Sequence, residues 1–242
     1  MTVPDGGGSW IRIAARNNAE WCDILCRSHG VPGRFDPDAW VDPHRTPPYY
    51  PDAVTLDPAA VGKHLLARID TITPGAYVKD SFANLDLAPF GFEIVHEAEW
   101  ILRRPGPSPS THDTAVRWMP LEAEAELATW EVAWDAEGAG LGLFVPELLR
   151  QPSAQFLGGS VDGSIVAGAI VNRTGDVLGV SNVFTTLGDL DDAWSGCVAY
   201  LEDAHPGSPL VGYEAGEKLA AARRHGFGSV GALRIWFEGE RG

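Results

Sequence analysis

The sequence predicts an α/β protein with a mixed β-sheet, and three observations support this prediction. Two apolar runs, Phe156 to Val161 and Ser164 to Asn172, flank Asp162-Gly163, a dipeptide that is typical of a tight hairpin. A third run, Val177 to Thr185, follows a short polar turn, so the three runs form an antiparallel meander. Helical and extended patterns then alternate to the end of the chain, as in a sheet covered by helices.

The strands of this meander are predicted to be buried on both faces. Along the second strand, one face carries Ile165, Ala167 and Ala169, and the other carries Val166 and Ile170. Since both sets are apolar, helices are expected to cover both faces of the sheet.

The chain after the meander is predicted to form two helices and two strands. From Asp191 to Asp203, the residues Trp194, Cys197, Val198 and Leu201 share one face of a helix that packs on a core. The other predicted elements are a strand at Pro209 to Tyr213, a helix at Glu214 to His225 and a strand at Val230 to Phe237.

The first half of the chain is predicted to be a separate domain. It begins with a helix from Ser9 to His29 and contains a strand from Ala53 to Leu56, after which Asp57 caps a second helix. A stretch rich in Pro and Ser separates the halves. The predicted organisation is a flexible N-terminus (residues 1–8), an N-terminal domain (9–104), a linker (105–113) and a C-terminal domain (114–242).

The order of elements in residues 114–238, with Gly226-Phe227 between the last helix and the last strand, resembles that of the GCN5-related N-acetyltransferase (GNAT) family. The resemblance implies a sheet whose two central strands splay apart. It also implies transfer of an acyl group from acetyl-CoA or another acyl-CoA to a small-molecule substrate. No metal is expected in such a site.

An internal similarity extends the resemblance to the N-terminal half. Tyr77 to Leu102 aligns without a gap on Gly212 to Phe237, with Gly91-Phe92 on Gly226-Phe227, although only three positions are identical. We interpret residues 9–104 as a degenerate GNAT-like half, which makes the chain a tandem protein. The alternative is a chance likeness.

The loop that would hold the coenzyme departs from the family pattern. In the family, an R/Q-x-x-G-x-G/A loop and the following helix N-terminus hold the pyrophosphate of coenzyme A. Here the loop reads Leu187 to Asp192, with Gly188 but no basic residue and three carboxylates. The position of the family's general-acid Tyr is Ala222. We expect a carboxylate to cap the helix and coenzyme A to bind weakly.

The resemblance also assigns candidate site residues. The backbone of Val180, Ser181 and Val183, together with Gly188, corresponds to the part that contacts the coenzyme. Asn182 is the polar side chain of that strand and is assigned to substrate binding. Tyr213 and Glu214 are the catalytic candidates, with Glu214 as general base because burial raises a carboxylate pKa. The alternative for Glu214 is a favourable anion in the first turn of the last helix.

The N-terminal half contributes five further substrate-binding candidates. Lys79, Asp80 and Ser81 occupy the equivalent junction between strand and helix, where they orient an acidic substrate or form a solvated ion pair that caps the helix. Tyr49 and Tyr50 form a rigid aromatic wall that lines a pocket or covers the edge of a core.

Composition restricts the partners. The formal net charge is −15, from 18 basic and 33 acidic residues, which argues against nucleic acid and anionic membranes as partners. The chain has no long apolar run and is predicted to be cytoplasmic. A monomer and a homodimer both remain open.

The cysteines indicate a reducing compartment. Cys22, Cys26 and Cys197 are too few for a disulfide framework. Cys22, Cys26 and His29 share a helix face, but a fourth metal ligand is not apparent, so we interpret the thiols as core residues.

Three function classes remain open at this level. The first is a small-molecule enzyme on a GNAT fold, with altered use of coenzyme A or none. The second is a non-catalytic module that binds a small ligand. The third is a protein-interaction module whose acidic surface binds a basic partner. Fold alone does not choose between them.

Overall fold

The computed structural model describes residues 7–106, 116–135, 138 and 141–239. Within these residues the chain forms two compact units. The first extends to Trp100 and includes the residues from Val230 onward, and the second runs from Ile101 to Ser229. Most of the predicted linker and of the predicted flexible N-terminus lies outside the described residues.

The helices and strands follow in this order: α1 (Gly7–Ser28), β1 (Arg34–Phe35), β2 (Ala39–Val41), β3 (Ala53–Thr55), α2 (Gly62–Leu66), β4 (Tyr77–Asp80), β5 (Phe92–Arg103), β6 (Arg117–Pro120), α3 (Glu124–Trp134), β7 (Ala154–Val161), β8 (Ser164–Thr174), β9 (Val177–Thr185), α4 (Leu190–Ala204), β10 (Leu210–Glu214), α5 (Gly216–Arg224) and β11 (Gly228–Glu238). Short 3₁₀ turns occupy Ala88–Phe90 and Pro146–Arg150.

The first unit contains a mixed sheet. β1, β2 and β3 are antiparallel neighbours, β3 pairs with β4 in parallel, and β4 pairs with β11 in antiparallel orientation. Its core includes Val41, Leu65, Val78, Leu87 and Trp236. The last strand therefore belongs to this unit, because its register places Trp236 opposite Val78.

The second unit confirms the predicted meander. β6, β7, β8 and β9 are successive antiparallel neighbours, and β9 pairs with β10 in parallel. α4 lays Trp194, Cys197, Val198 and Leu201 on the core of this sheet, as the helical spacing predicts. The α/β class with a mixed sheet is confirmed.

Three local expectations are corrected. The second helix begins at Gly62, because Asp57 caps a separate turn by accepting from the Ala59 N–H. The segment after β4 forms turns and a 3₁₀ turn in place of a helix, since the Asp80 carboxylate accepts from the backbone N–H of Leu85. The last helix begins at Gly216, two residues later than predicted.

The two units also divide the chain differently from the predicted domains. β5 continues through Arg103, so Ile101 to Arg103 lie in the second unit. Residues from Val230 onward lie in the first unit, where β11 pairs with β4. The tandem interpretation stays a prediction.

Gly168 provides a test of packing in the second unit. A Cβ there would lie 2.1 Å from Nε1 of Trp130, which is fully buried and donates to the Leu157 carbonyl at 2.8 Å. Gly168→Ala is expected to lower the free energy of unfolding by about 2–4 kcal/mol, because it overpacks the core and breaks this hydrogen bond. Chemical denaturation measures the change. Gly8→Ala is the control, since a Cβ there meets nothing within 4 Å; equal effects would refute the packing argument.

Candidate active site

The candidate site lies where β9 and β10 separate. The two parallel strands pair only at Leu210 with Leu178 and at Val211 with Gly179, although both continue beyond these pairs. Carrying the register forward would set Glu214 level with Asn182. The strands therefore open over the stretch that the sequence predicts to be splayed, which leaves backbone polar groups for a ligand or water.

Gly212 stands at the point of separation. A Cβ at this position would lie 2.5 Å from the carbonyl oxygen of Val180, a backbone atom that has no freedom to turn away. Only glycine allows β10 to approach β9 so closely before the strands diverge. Gly212 is not among the predicted site residues; its signal in the sequence is a glycine inside a predicted strand.

A β-bulge shapes the β9 side of the opening. The register between β8 and β9 shifts between Gly168 and Ile170, opposite Asn182, and Asn182 has a left-handed backbone with φ of 55°. Asn tolerates this conformation better than most residues. The preceding Ser181 has a buried hydroxyl with no hydrogen-bond partner among the described residues. A bulge redirects side chains and is common beside active sites.

Glu214 is the last residue of β10 and is half-buried. Burial raises the pKa of its carboxyl from 4.5 to about 7, against a smaller opposite effect of Lys218. The alternative of a first-turn helix anion is wrong, because α5 begins after Glu214 with Ala215 at its N-cap and Glu217 in its first turn. A carboxyl with a pKa near neutrality suits proton transfer at physiological pH.

The other candidate residues on β9 and β10 differ in how far their side chains are exposed. Val180 and Val183 are buried in the core of the second unit, so their side chains are not available to a ligand. Tyr213 precedes Glu214 on β10 and is half-buried. The prediction that these residues bind a coenzyme and a substrate stays a prediction.

The loop after β9 is closed by its own carboxylates. Gly188 has φ of 75°, and Asp189 is the N-cap of α4, where its Oδ1 accepts from the Asp191 N–H at 3.1 Å. The expectation that a carboxylate caps this helix is confirmed, and the carboxylate is that of Asp189. A donor that would otherwise face an anion is therefore already used.

Asp191 pairs with two basic side chains at the end of α5. Nε of Arg224 lies 2.8 Å from both Asp191 carboxylate oxygens, and Nε2 of His225 lies 3.3 Å from Oδ1. The hydrogen bond with Arg224 holds the pKa of the Asp191 carboxyl below its usual range and raises the pKa of the guanidinium. Each partner neutralises the other, so Arg224 offers no net charge to a phosphate.

This loop does not fit the pyrophosphate of coenzyme A. Asp189, Asp191 and Asp192 would place like charge against it, and the nearby guanidinium is paired with Asp191. The opening between β9 and β10 is different, because backbone groups left unpaired there can form hydrogen bonds with an uncharged linear arm. The two parts of the expected coenzyme site therefore disagree.

The candidates in the first unit serve its own packing. Lys79, Asp80 and Ser81 are buried, so a solvated ion pair is wrong; the Lys79 ammonium donates to Oδ1 of Asn18 at 2.7 Å. Tyr50 is buried and its hydroxyl accepts from Nε1 of Trp21 at 3.0 Å, whereas Tyr49 is exposed. Tyr50 covers the edge of a core. Substrate binding by these residues stays a prediction.

The cysteines are core residues. Cys22, Cys26 and Cys197 are buried free thiols, and burial raises the pKa of Cys22 to about 11 and that of Cys197 to about 12. In the described part of the chain, no group of three or more His, Cys, Asp and Glu side chains is arranged to hold a metal ion. No helix in the same part has both the length and the apolarity to cross a membrane.

Comparison with solved structures establishes the class of fold. A GCN5-related N-acetyltransferase from Kribbella flavida superposes with a TM-score of 0.63 at 16% identity, over 95% of this chain and 96% of that protein. A protein assigned to the GNAT family of acetyltransferases from Novosphingobium aromaticivorans gives 0.58 at 15% identity, over 93% and 99%. A conserved protein of unknown function from Staphylococcus epidermidis gives 0.52 at 12% identity, over 73% and 75%.

These matches confirm the resemblance that the sequence indicates: the chain has a GNAT acyltransferase-like fold. No protein-family profile matches the sequence, and no curated protein matches it. At such identities the similarity concerns the fold, and the activity has to be argued from the site.

Proposed function

We propose that the protein is an acyltransferase for a small-molecule amine, with Glu214 as general base. The observation that supports this proposal is the carboxyl of Glu214, with its pKa raised to about 7, at the end of β10 where β9 and β10 separate. A group with this pKa is part carboxylate at neutral pH, so it accepts a proton and releases it again easily.

In the proposed reaction, Glu214 accepts a proton from the acceptor ammonium. The free amine nitrogen then bonds to the acyl carbon of a thioester, the carbon–sulfur bond breaks with its electron pair on sulfur, and the second proton that the nitrogen loses passes to water. Ala222, at the position of the family's general-acid Tyr, has no proton to donate, so the sulfur departs as a thiolate. Thiols have a pKa of roughly 8.5, which makes this departure tolerable without an acid.

The donor is proposed to be a thioester that is recognised through its arm and not through nucleotide phosphates. The carboxylates of the loop after β9 support this part of the proposal. Asn182 and the hydroxyl of Ser181 offer polar groups to such an arm on β9. In this proposal the acceptor amine lies against Glu214 and Tyr213.

A comparison of two donors tests the proposal. Release of free thiol is measured with acetyl-CoA and with S-acetyl-N-acetylcysteamine, across a panel of primary amines. The short thioester is expected to reach a kcat/KM within about 10-fold of acetyl-CoA, because nucleotide contacts contribute little transition-state binding. A preference for acetyl-CoA of about 100-fold or more would refute this donor assignment.

The second candidate function is a non-catalytic module that binds a small ligand in the same opening. The carboxylate-filled loop favours it, because a protein that never binds the coenzyme has no need of a phosphate site. Saturable amine binding by calorimetry without thiol release from either donor would select this candidate over the acyltransferase.

A further inference from the structure

A cavity of about 400 Å³ lies in the second unit at the opposite end of β9 from the candidate active site. It is lined by the beginning of β7, the end of β8 and the beginning of β9, where the strands are still fully paired. Leu178 contributes to its wall, whereas the opening next to Glu214 starts after Gly179. At about 3.3 Å per residue, Leu178 and Asn182 are roughly 13 Å apart along the strand.

We propose that this cavity binds a small organic carboxylate with an apolar body. The inference does not depend on acyl transfer, because it uses other residues and another end of the sheet. The volume of the cavity is within the range of small-molecule sites, roughly 300–1,000 Å³.

One wall of the cavity is apolar. Leu121, Phe156, Val171 and Leu178 line it, and all four are buried in the second unit. A hydrocarbon or aromatic body that contacts this wall would remove its own apolar surface from water, which favours binding in proportion to the apolar area covered.

Arg173 supplies the charge. Its Nη2 donates to Nδ1 of His205 at 3.0 Å, so the imidazole is an acceptor at Nδ1 and carries its proton on Nε2. Burial and the charge of Arg173 lower the pKa of His205, which keeps the ring neutral. The imidazole orients the guanidinium without neutralising it.

Arg173 differs from most of the described arginines, which pair with a carboxylate. Among the described residues, no carboxylate lies within ion-pair distance of Arg173, in a chain of net charge −15. Glu122 also lines the cavity but forms no ion pair with Arg173. A guanidinium that has no carboxylate partner binds a carboxylate with two parallel hydrogen bonds.

Further polar side chains line the same cavity. Gln151, Ser153 and Gln155 line the cavity and are half-buried, and their side chains make no hydrogen bond among the described residues. Half-buried polar side chains without partners are available to a ligand. A single guanidinium with neutral donors suits a monoanion better than a phosphate dianion.

Ligand-observed NMR and calorimetry with 3-phenylpropionate and hexanoate test the proposal. The acids are expected to bind with a Kd below about 1 mM. The uncharged hexanamide, the cationic hexylamine and inorganic phosphate are expected to bind at least about 10-fold more weakly, because each lacks either the monoanion or the apolar body. Equal binding of hexanoate and hexanamide would overturn the proposal.

Arg173→Gln is expected to weaken 3-phenylpropionate binding at least about 10-fold. The matched control is Arg117→Gln, because Arg117 is exposed on β6, has no carboxylate partner among the described residues and does not line the cavity. The Kd of the control variant for 3-phenylpropionate is expected to stay within about 2-fold of that of the unchanged protein. Equal losses in both variants would show a general charge effect and contradict the site, and melting temperatures verify that both variants fold.

Discussion

Glu214→Gln is expected to lower turnover by about 10²- to 10⁴-fold, because glutamine keeps the shape of the side chain but removes the proton acceptor. The measurement is kcat for thiol release with an amine acceptor that the unchanged protein uses. The matched control is Glu217→Gln, which removes the same charge three residues later in the exposed first turn of α5. Full activity in Glu214→Gln would exclude Glu214 as the base.

The pH dependence follows from the same carboxyl. Since the active form is the carboxylate and the pKa of Glu214 is about 7, kcat is expected to rise with pH and to level off above that value. This acidic limb should be absent in Glu214→Gln and present in Glu217→Gln. An unchanged limb in Glu214→Gln would assign the titration to another group.

As pH rises, the stability of the protein is expected to fall while its activity rises. The folded pKa of Glu214 lies above its unfolded value of 4.5, so its contribution to stability is complete below pH 4.5 and is lost as pH rises through about 7. Glu214→Gln is therefore expected to match the unchanged protein near pH 4 and to melt at a higher temperature at pH 8. A lower melting temperature at pH 8 would contradict the burial of the charge.

Acetyl-CoA is expected to bind in the high micromolar range or more weakly, because the loop after β9 presents carboxylates where a pyrophosphate would lie. Asp191→Asn should strengthen binding about 10-fold, since it removes one negative charge and releases Arg224 and His225. Calorimetry measures both values. Low-micromolar affinity of the unchanged protein would refute the electrostatic argument.

The control for this change is Asp203→Asn. Asp203 is exposed and lies near the other end of α4, about 18 Å from Asp191. The substitution therefore removes the same charge far from the loop. Its affinity for acetyl-CoA should stay within about 2-fold of the unchanged value. A gain equal to that of Asp191→Asn would mean that net charge, and not the loop, limits binding.

The predictable part of the fold was local. β9 has the predicted bounds of Val177 to Thr185, and β8 begins at the predicted Ser164, because Asp162-Gly163 takes the left-handed backbone of a tight turn. The carboxylate cap of α4 was also predictable from the loop itself, because an N-cap depends on residues two or three positions apart.

The less predictable part of the site depends on contacts that are remote in sequence. Arg224 and Asp191 are 33 positions apart, and no local pattern indicates that they pair. Gly212 gains its meaning only when β10 meets the Val180 carbonyl. The cavity next to Arg173 and His205 also joins residues that no motif connects.

The sequence by itself determined the meander of β7, β8 and β9, the core face of α4 and the absence of a basic phosphate loop, because these follow from hydrophobic periodicity, turn chemistry and residue identity. Only the tertiary structure decided that Glu214 ends a strand, that its pKa is near 7 and that β11 pairs with β4. Burial and strand pairing arise when distant segments pack together, so they set the charge state of a carboxyl that looks ordinary in the sequence.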